Sequence, residues 1–258
     1  MDIKGSTILL TGASGGLGQA TARYLAARGA SLVISARNEQ VLDELAAEIG
    51  AEVVVADLAD RGDVERLAAR AATCDVLVAN AGIGDSPDLD QLTTGEIDQC
   101  LDVNLRSPIV MSHEFVKAKS AAGHRGQIVL IGSLAGLAAT PGTRLYNATK
   151  FGLRGFALSF RQEAEPLGVG VSLVAPGFIR DAGMFANGSI DLPPGVRTKT
   201  PEAVAAAVGK AIIKNPTEIF VSPAEMRFVS TLSTVAPAVS AFVQRKIGVT
   251  ERVGRDGS

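Results

Sequence analysis

Tyr146 and Lys150 stand four residues apart in TRLYNATKFG, residues 143–152, in a chain that has only two tyrosines. Four residues is close to one α-helical turn, so in a helix the phenol and the ammonium emerge on one face. An isolated phenol with a pKa of about 10 is a poor base at neutrality, and a neighbouring positive charge favours its ionised form. Such a pair is suited to give a proton to a developing alkoxide, or to take one from an alcohol. Ser133 closes the apolar run GQIVLIGS, residues 126–133, and Asn104 lies in LDVNLRS. A serine hydroxyl can hold a carbonyl and its developing negative charge, and an asparagine can support a chain of waters. Each residue also has an ordinary use: Ser133 as a cap, Asn104 as a loop contact, Tyr146 as a half-buried ring, Lys150 as a solvated charge. Spacing alone does not choose between the two sets of roles.

Four residues so far apart in sequence meet only if several strand ends share one crevice. Apolar, β-branched runs bounded by turn residues occur at 6–12, 30–36, 51–57, 74–80, 126–133, 170–176 and 217–223. Helical candidates such as LGQATARYLAARG, NEQVLDELAAEIG and RGDVERLAARAAT separate them. This alternation predicts an α/β domain with a seven-stranded, largely parallel sheet flanked by helices. In such sheets side chains from different strand ends converge at one edge.

Directly after the first strand comes TGASGGLG, residues 11–18, with Gly12, Gly15, Gly16 and Gly18. Glycines there permit a tight strand-to-helix turn and close approach of a pyrophosphate, which the following helix N-terminus would attract. The alternative use of the turn is helix-to-sheet packing. Ser14 and Leu17 belong to the same expected cofactor contacts. The second strand ends at SAR, which puts Arg37 where an adenosine ribose is addressed. Arginine can pair with the extra phosphate of NADP, whereas an acid there would favour NAD; the alternative is a solvated residue at a helix start. Asp57 and Leu58, after the third strand, are expected on the adenine side, with helix capping as the other use of Asp57.

The ordered motifs TGASGGLG, NAG at 80–82, Asn104, Ser133, YNATK at 146–150 and PG at 176–177 resemble the classical short-chain dehydrogenases/reductases over roughly the first 180 residues. The resemblance implies a single Rossmann-like domain over residues 1–258 and a homodimer or homotetramer. It implies catalytic roles for Asn104, Ser133, Tyr146 and Lys150, with Tyr146 and Lys150 also touching the cofactor. Asn80, Ala81 and Gly82 are implied beside the adenosine ribose, with Thr11 as their structural partner, and Pro176, Gly177 and Ile179 beside the nicotinamide. The expected activity is NADP-dependent hydride transfer between NADPH and a carbonyl or alcohol substrate. Alternatives are an NAD(H)-preferring alcohol dehydrogenase and a non-catalytic nucleotide-sensing interaction protein.

Composition narrows the partners. The 25 basic and 27 acidic residues give a formal charge of -2 with no basic tract, which argues against a nucleic-acid partner. Cys74, Cys100, His113 and His124 are the whole complement of cysteine and histidine, too few for a disulfide framework or a His-rich metal site. The start MDIKGSTILLTG lacks a secretory h-region, so a cytoplasmic protein is expected. A loop over about 178–200 is expected to close over substrate, with Phe178, Met184 and Phe185 lining an apolar pocket or packing the loop. An apolar C-terminal helix over about 225–245 is expected to pack, form a subunit contact, cover the site or touch a membrane surface.

Overall fold

The run TILLT forms β1, Thr7–Thr11, whose last four residues are buried although neighbours along a strand point to opposite faces. A strand covered on both sides must lie between two layers of helices, and both layers are present in the computed structural model, which describes residues 1–84, 92–140, 142–180 and 197–239. The other strands are β2 Ser31–Ala36, β3 Glu52–Val55, β4 Val76–Ala79, β5 Gly126–Ile131, β6 Val169–Pro176 and β7 Glu218–Val221. They form one sheet in the order β3-β2-β1-β4-β5-β6-β7, and every pairing is parallel. All seven expected strands are present, each within a few residues of its expected bounds.

Side-chain alternation sorts the core into two halves. Ile8 and Leu10 point to one face, where they meet α1 (Gly16–Ala26), α2 (Glu39–Ile49) and α7 (Pro201–Lys214) through Leu25, Leu42 and Val208. Leu9 points to the other, where α3 (Arg61–Ala72), α5 (Ser107–Ala122) and α6 (Arg144–Ala164) contribute Leu67, Phe115 and Leu153. Fully burying one such side chain is worth about 1.5–3 kcal/mol, so these two layers fix the strand order and register. Local signals set the helix starts. Asn38 and Asp60 cap α2 and α3, Thr93 and Glu96 form a capping box at α4 (Thr94–Leu101), and Thr200 caps α7 with Pro201 in its first turn.

The chain winds outward from β1 to β3, then returns to pair β4 with the free side of β1. That reversal opens a crevice at the carboxyl ends of β1 and β4. Between α4 and α5 the helix widens into a π-helical turn, Asp102–Arg106, with the Ser107 N–H bonded to the Asp102 carbonyl. Pro108 explains the widening: it has no N–H to give to the Asn104 carbonyl four residues back. The Ser107 hydroxyl takes up the Val103 carbonyl at 2.8 Å.

The described part of the expected C-terminal helix is interrupted once. α8 spans Ala224–Val235, the chain breaks the helix at Ala236 before Pro237, and residues 237–239 are helical again; residues 240–245 of the expected helix lie outside the described residues. Its orientation is inverted relative to ordinary amphipathic packing. Ser230 and Ser233 are 8 % exposed on the inner side, whereas Phe228 and Val235 are 70 % and 80 % exposed. The Thr234 hydroxyl donates to the Leu137 carbonyl at 2.8 Å and ties α8 to the segment after β5.

Candidate active site

The crevice between β1 and β4 is a cavity of about 790 Å³. In its middle the chain leaves β1 through Gly12, in the left-handed region at φ 67°, where a Cβ would sit 2.7 Å from the Ala81 Cα. A Cβ on Gly18 would overlap the Gly12 carbonyl oxygen and lie 2.7 Å from the Ala13 Cα. Both positions therefore require glycine, and the result is a turn packed flat against the start of α1. That helix begins with Gly15 as an N-cap that offers no side-chain acceptor, and its first turn carries no acid. Its first N–H groups are left for an anionic ligand.

The expected cofactor residues gather along this cavity. Gly12, Ser14, Gly15, Gly16, Leu17, Gly18, Arg37, Asp57, Leu58, Asn80, Ala81, Gly82, Pro176, Gly177 and Ile179 all line it, together with Ser133, Tyr146 and Lys150. Arg37 follows the last residue of β2 and is exposed at the rim. Asp57 is partly engaged: its Oδ1 accepts the Ala59 N–H at 3.0 Å, and the cap of α3 is Asp60 instead. Thr11 and Asn80 stitch β1 to β4. The Thr11 hydroxyl accepts the Asn80 and Ala81 N–H groups at 3.1 Å each, and the Asn80 amide donates to the Thr11 and Gly12 carbonyls at 3.0 and 3.1 Å. A dinucleotide fits this cradle: close-approach glycines and a bare helix start at its middle, a cation at one rim and proton-transfer groups at the other end.

Those groups come from β5 and α6. Ser133 follows β5 directly, and Tyr146 and Lys150 lie one turn apart near the start of α6. Tyr146 is hydrogen-bonded with Ser133; its phenol is pushed up to about 12, chiefly by burial, which the Ser133 bond partly offsets. The Lys150 ammonium donates to the Ile131 carbonyl at 2.9 Å and lies 5.5 Å from the Tyr146 ring centroid. Burial pulls Lys150 down to about 8, the Cys100 thiol acting weakly the other way. Tyr146 is thus held protonated at neutrality, and Lys150 keeps its charge only below about 8.

Asn104 is buried in the π-helical turn near Gly82 and, unlike Ser133, Tyr146 and Lys150, is not among the residues lining the cavity. Its amide oxygen accepts the Ile83 N–H at 2.8 Å, its nitrogen donates to the Ile83 carbonyl at 2.8 Å, and the Thr149 hydroxyl lies 3.3 Å away. The side chain expected to support water therefore grips the backbone beyond Gly82. A Cβ on Gly82 would be 3.4 Å from Asn104 Oδ1 and 3.7 Å from Lys150 Nζ, so this glycine separates the two. Phe178 is half-buried and not among the residues lining the cavity; its carbonyl accepts the Lys199 N–H at 3.0 Å. Met184 and Phe185 lie outside the described residues. Residue patterns missed Ile131, Gly132, Ile83 and Thr149, which enter through backbone atoms or from the far side of a helix. Among the described residues no group of three metal-ligating side chains occurs, and no helix is long and apolar enough to cross a membrane.

The family model described as short chain dehydrogenase matches residues 6–191. A 3-oxoacyl-[acyl-carrier-protein] reductase, FabG, of Rickettsia conorii is 36 % identical over 182 residues, 70 % of this chain and 75 % of that one. A short-chain dehydrogenase from Sphingobium yanoikuyae, solved in complex with NADPH, superposes with a TM-score of 0.76 at 26 % identity, covering 98 % of each chain. A 3-ketoacyl-(acyl-carrier-protein) reductase from Brucella melitensis, complexed with NADH, gives a TM-score of 0.77 at 26 % identity, over 87 % of this chain and 100 % of that one.

Proposed function

The chain belongs to the short chain dehydrogenase family, and on that footing we propose that it is an NADPH-dependent reductase of a carbonyl substrate, with alcohol oxidation as the reverse reaction. The observation that carries the reading is the Ser133, Tyr146 and Lys150 cluster at one end of a cavity whose other rim holds Arg37. When bound, the dinucleotide supplies the hydride. The remaining work falls to the chain. The Ser133 hydroxyl holds the carbonyl oxygen, and Tyr146, protonated across neutral pH, gives that oxygen its proton as negative charge develops. Lys150, charged below about 8, stabilises the phenolate left behind and has N–H donors for a ribose hydroxyl. Asn104 supports the proton path by fixing the Ile83 backbone beneath Lys150, and a water chain past the π-helical turn resupplies the proton.

Arg37 supports NADP over NAD: no acid stands at the end of β2 to accept a free ribose diol, and an exposed guanidinium there matches a phosphate. NAD(H) is the alternative cofactor. Among carbonyl classes a 3-oxoacyl thioester leads, because the relative from Rickettsia conorii carries that activity in its name; a steroid-like ketone and a small ketone follow. A cytoplasmic homodimer or homotetramer completes the proposal. The test is carbonyl-dependent oxidation of NADPH by the purified protein across these three classes. Turnover with NADPH, faster than with NADH, is expected; nucleotide binding without turnover of any carbonyl would favour the nucleotide-sensing alternative.

A further inference from the structure

Asn147 follows Tyr146 in the first turns of α6, and it is 5 % exposed. Its amide nitrogen donates to the Ala135 carbonyl at 2.8 Å and to the Ala138 carbonyl at 3.0 Å. Its amide oxygen accepts the Thr140 N–H at 3.2 Å and the Thr143 hydroxyl at 2.6 Å. Two carbonyls around the nitrogen and a backbone N–H at the oxygen fix which way the amide faces, and both donors and both acceptor sites are used. All four partners lie in the segment that connects β5 to α6. An ordinary surface asparagine on a helix satisfies itself with water; this one is spent on holding the approach to the helix in place.

That segment begins at Ser133. Ala135 connects the two residues: its carbonyl accepts from Asn147, and its N–H donates to the Ser133 hydroxyl at 3.1 Å. Gly136, one residue on, comes so close to α6 that a Cβ there would lie 2.7 Å from the Lys150 carbonyl oxygen. The turn after Ser133 is thus pressed onto α6 beside both Tyr146 and Lys150. We propose that Asn147 is a positioning residue, which sets the separation of the Ser133 hydroxyl and the Tyr146 phenol by anchoring the turn after Ser133 to the helix that carries the phenol. The inference rests on the carbonyl reduction proposed above, where both groups act on one oxygen. A misplacement of about 1 Å between reacting groups costs roughly 100-fold in rate.

The experiment compares wild type, Asn147→Ala and Thr143→Val with NADPH and a carbonyl that wild type reduces. In Asn147→Ala, kcat is expected to fall roughly 10–100-fold while KM for the carbonyl stays within about threefold, the signature of an interaction used in the transition state. The Kd for NADPH, read by its fluorescence without turnover, is expected to stay within about twofold, since the glycine turn and Arg37 stand on other strands. Thr143→Val removes one of the four partners and gives a smaller fall in the same parameter. A second readout is the pH profile of alcohol oxidation. The titratable groups that reach Tyr146 are Lys150 on α6 and Cys100 on α4, both untouched. Weakening the Ser133 bond, which favours the phenolate, moves the rise in rate to higher pH. A purely structural role predicts instead fewer NADPH sites per protein and rates scaled equally at every pH, and that result overturns the inference. So does wild-type kcat with an unmoved profile in Asn147→Ala, or in Thr143→Val should the alanine variant not fold. Wild type inert on every carbonyl defeats the proposed reduction and the inference with it; active wild type with matching variants defeats the inference alone.

Discussion

Replacing Lys150 with methionine raises the stability of the nucleotide-free protein, although it removes a residue from the centre of the site. Lys150 is 3 % exposed, and among the described residues its ammonium has one protein acceptor, the Ile131 carbonyl at 2.9 Å. A lowering from 10.5 to about 8 corresponds to roughly 3 kcal/mol of preference for the neutral amine. Methionine fills nearly the same volume without the charge, and leaves the Ile131 carbonyl short of one donor at a cost of about 1 kcal/mol. The net gain is roughly 2 kcal/mol at pH 7, or a thermal midpoint roughly 5 °C higher for a chain of this size. The pH dependence follows from the sign of the shift. Between about 8 and 10.5 the unfolded chain holds a proton at Lys150 that the folded chain has lost, so wild-type stability rises with pH across that window. The gap to Lys150→Met is therefore full below about 8, shrinks as pH rises, and above about 10.5 is reversed to roughly 1 kcal/mol in favour of wild type, whose neutral amine still donates to the Ile131 carbonyl. Tyr146, raised from 10.0 to about 12, gives an opposite slope above 10.0, but both proteins share it and it cancels in the difference. Denaturant titrations at several pH values, without nucleotide, read the gap directly. A variant no more stable than wild type at pH 7, or a gap that does not change with pH, would refute the reasoning.

Two further outcomes test the other end of the cavity. Arg37→Asp is expected to lower the ratio of NADPH to NADH affinity by roughly 10–100-fold, the scale of one charge-assisted hydrogen-bonded contact; competition binding measures it, and an unchanged ratio would move the phosphate site elsewhere. Gly18→Ala puts a methyl group into the Gly12 carbonyl and beside the Ala13 Cα, so the turn must open, with a loss of about 1–3 kcal/mol in denaturant stability. NADPH affinity is expected to fall at least tenfold with it, and a variant that binds as wild type would show that the turn is not the ligand's cradle.

How far the sequence was readable depends on whether the signal is local. β-branched apolar runs bounded by turn residues gave all seven strands, because parallel strands buried on both faces have little else they can be. Expected ends overran by a residue or two, as at β4, where the expected run took in Cys74, Asp75 and Asn80 on either side of the paired Val76–Ala79. Tyr146 and Lys150 were legible from a one-turn spacing, and the glycine turn from its place after a strand. Asn147 was not: it reads as one more polar residue on a helix, and only the path of the segment after Ser133 buries it. The π-helical turn carried a local mark in Pro108, four residues after Asn104, but nothing local marked Ile83 as the partner of the Asn104 side chain. In α8 the pattern was visible but its direction was not, since Ser230 and Ser233 face the body, Phe228, Leu232 and Val235 face outward, and the exposed Thr234 reaches inward only through its hydroxyl.

The central claim is that Tyr146 gives the proton in an otherwise intact nucleotide site. Tyr146→Phe keeps the ring and removes only the hydroxyl, and the measurement is kcat beside the Kd for NADPH on the same preparation. The account predicts a kcat roughly 100–10,000-fold lower with NADPH affinity unchanged. Turnover close to wild type with NADPH still bound would contradict it.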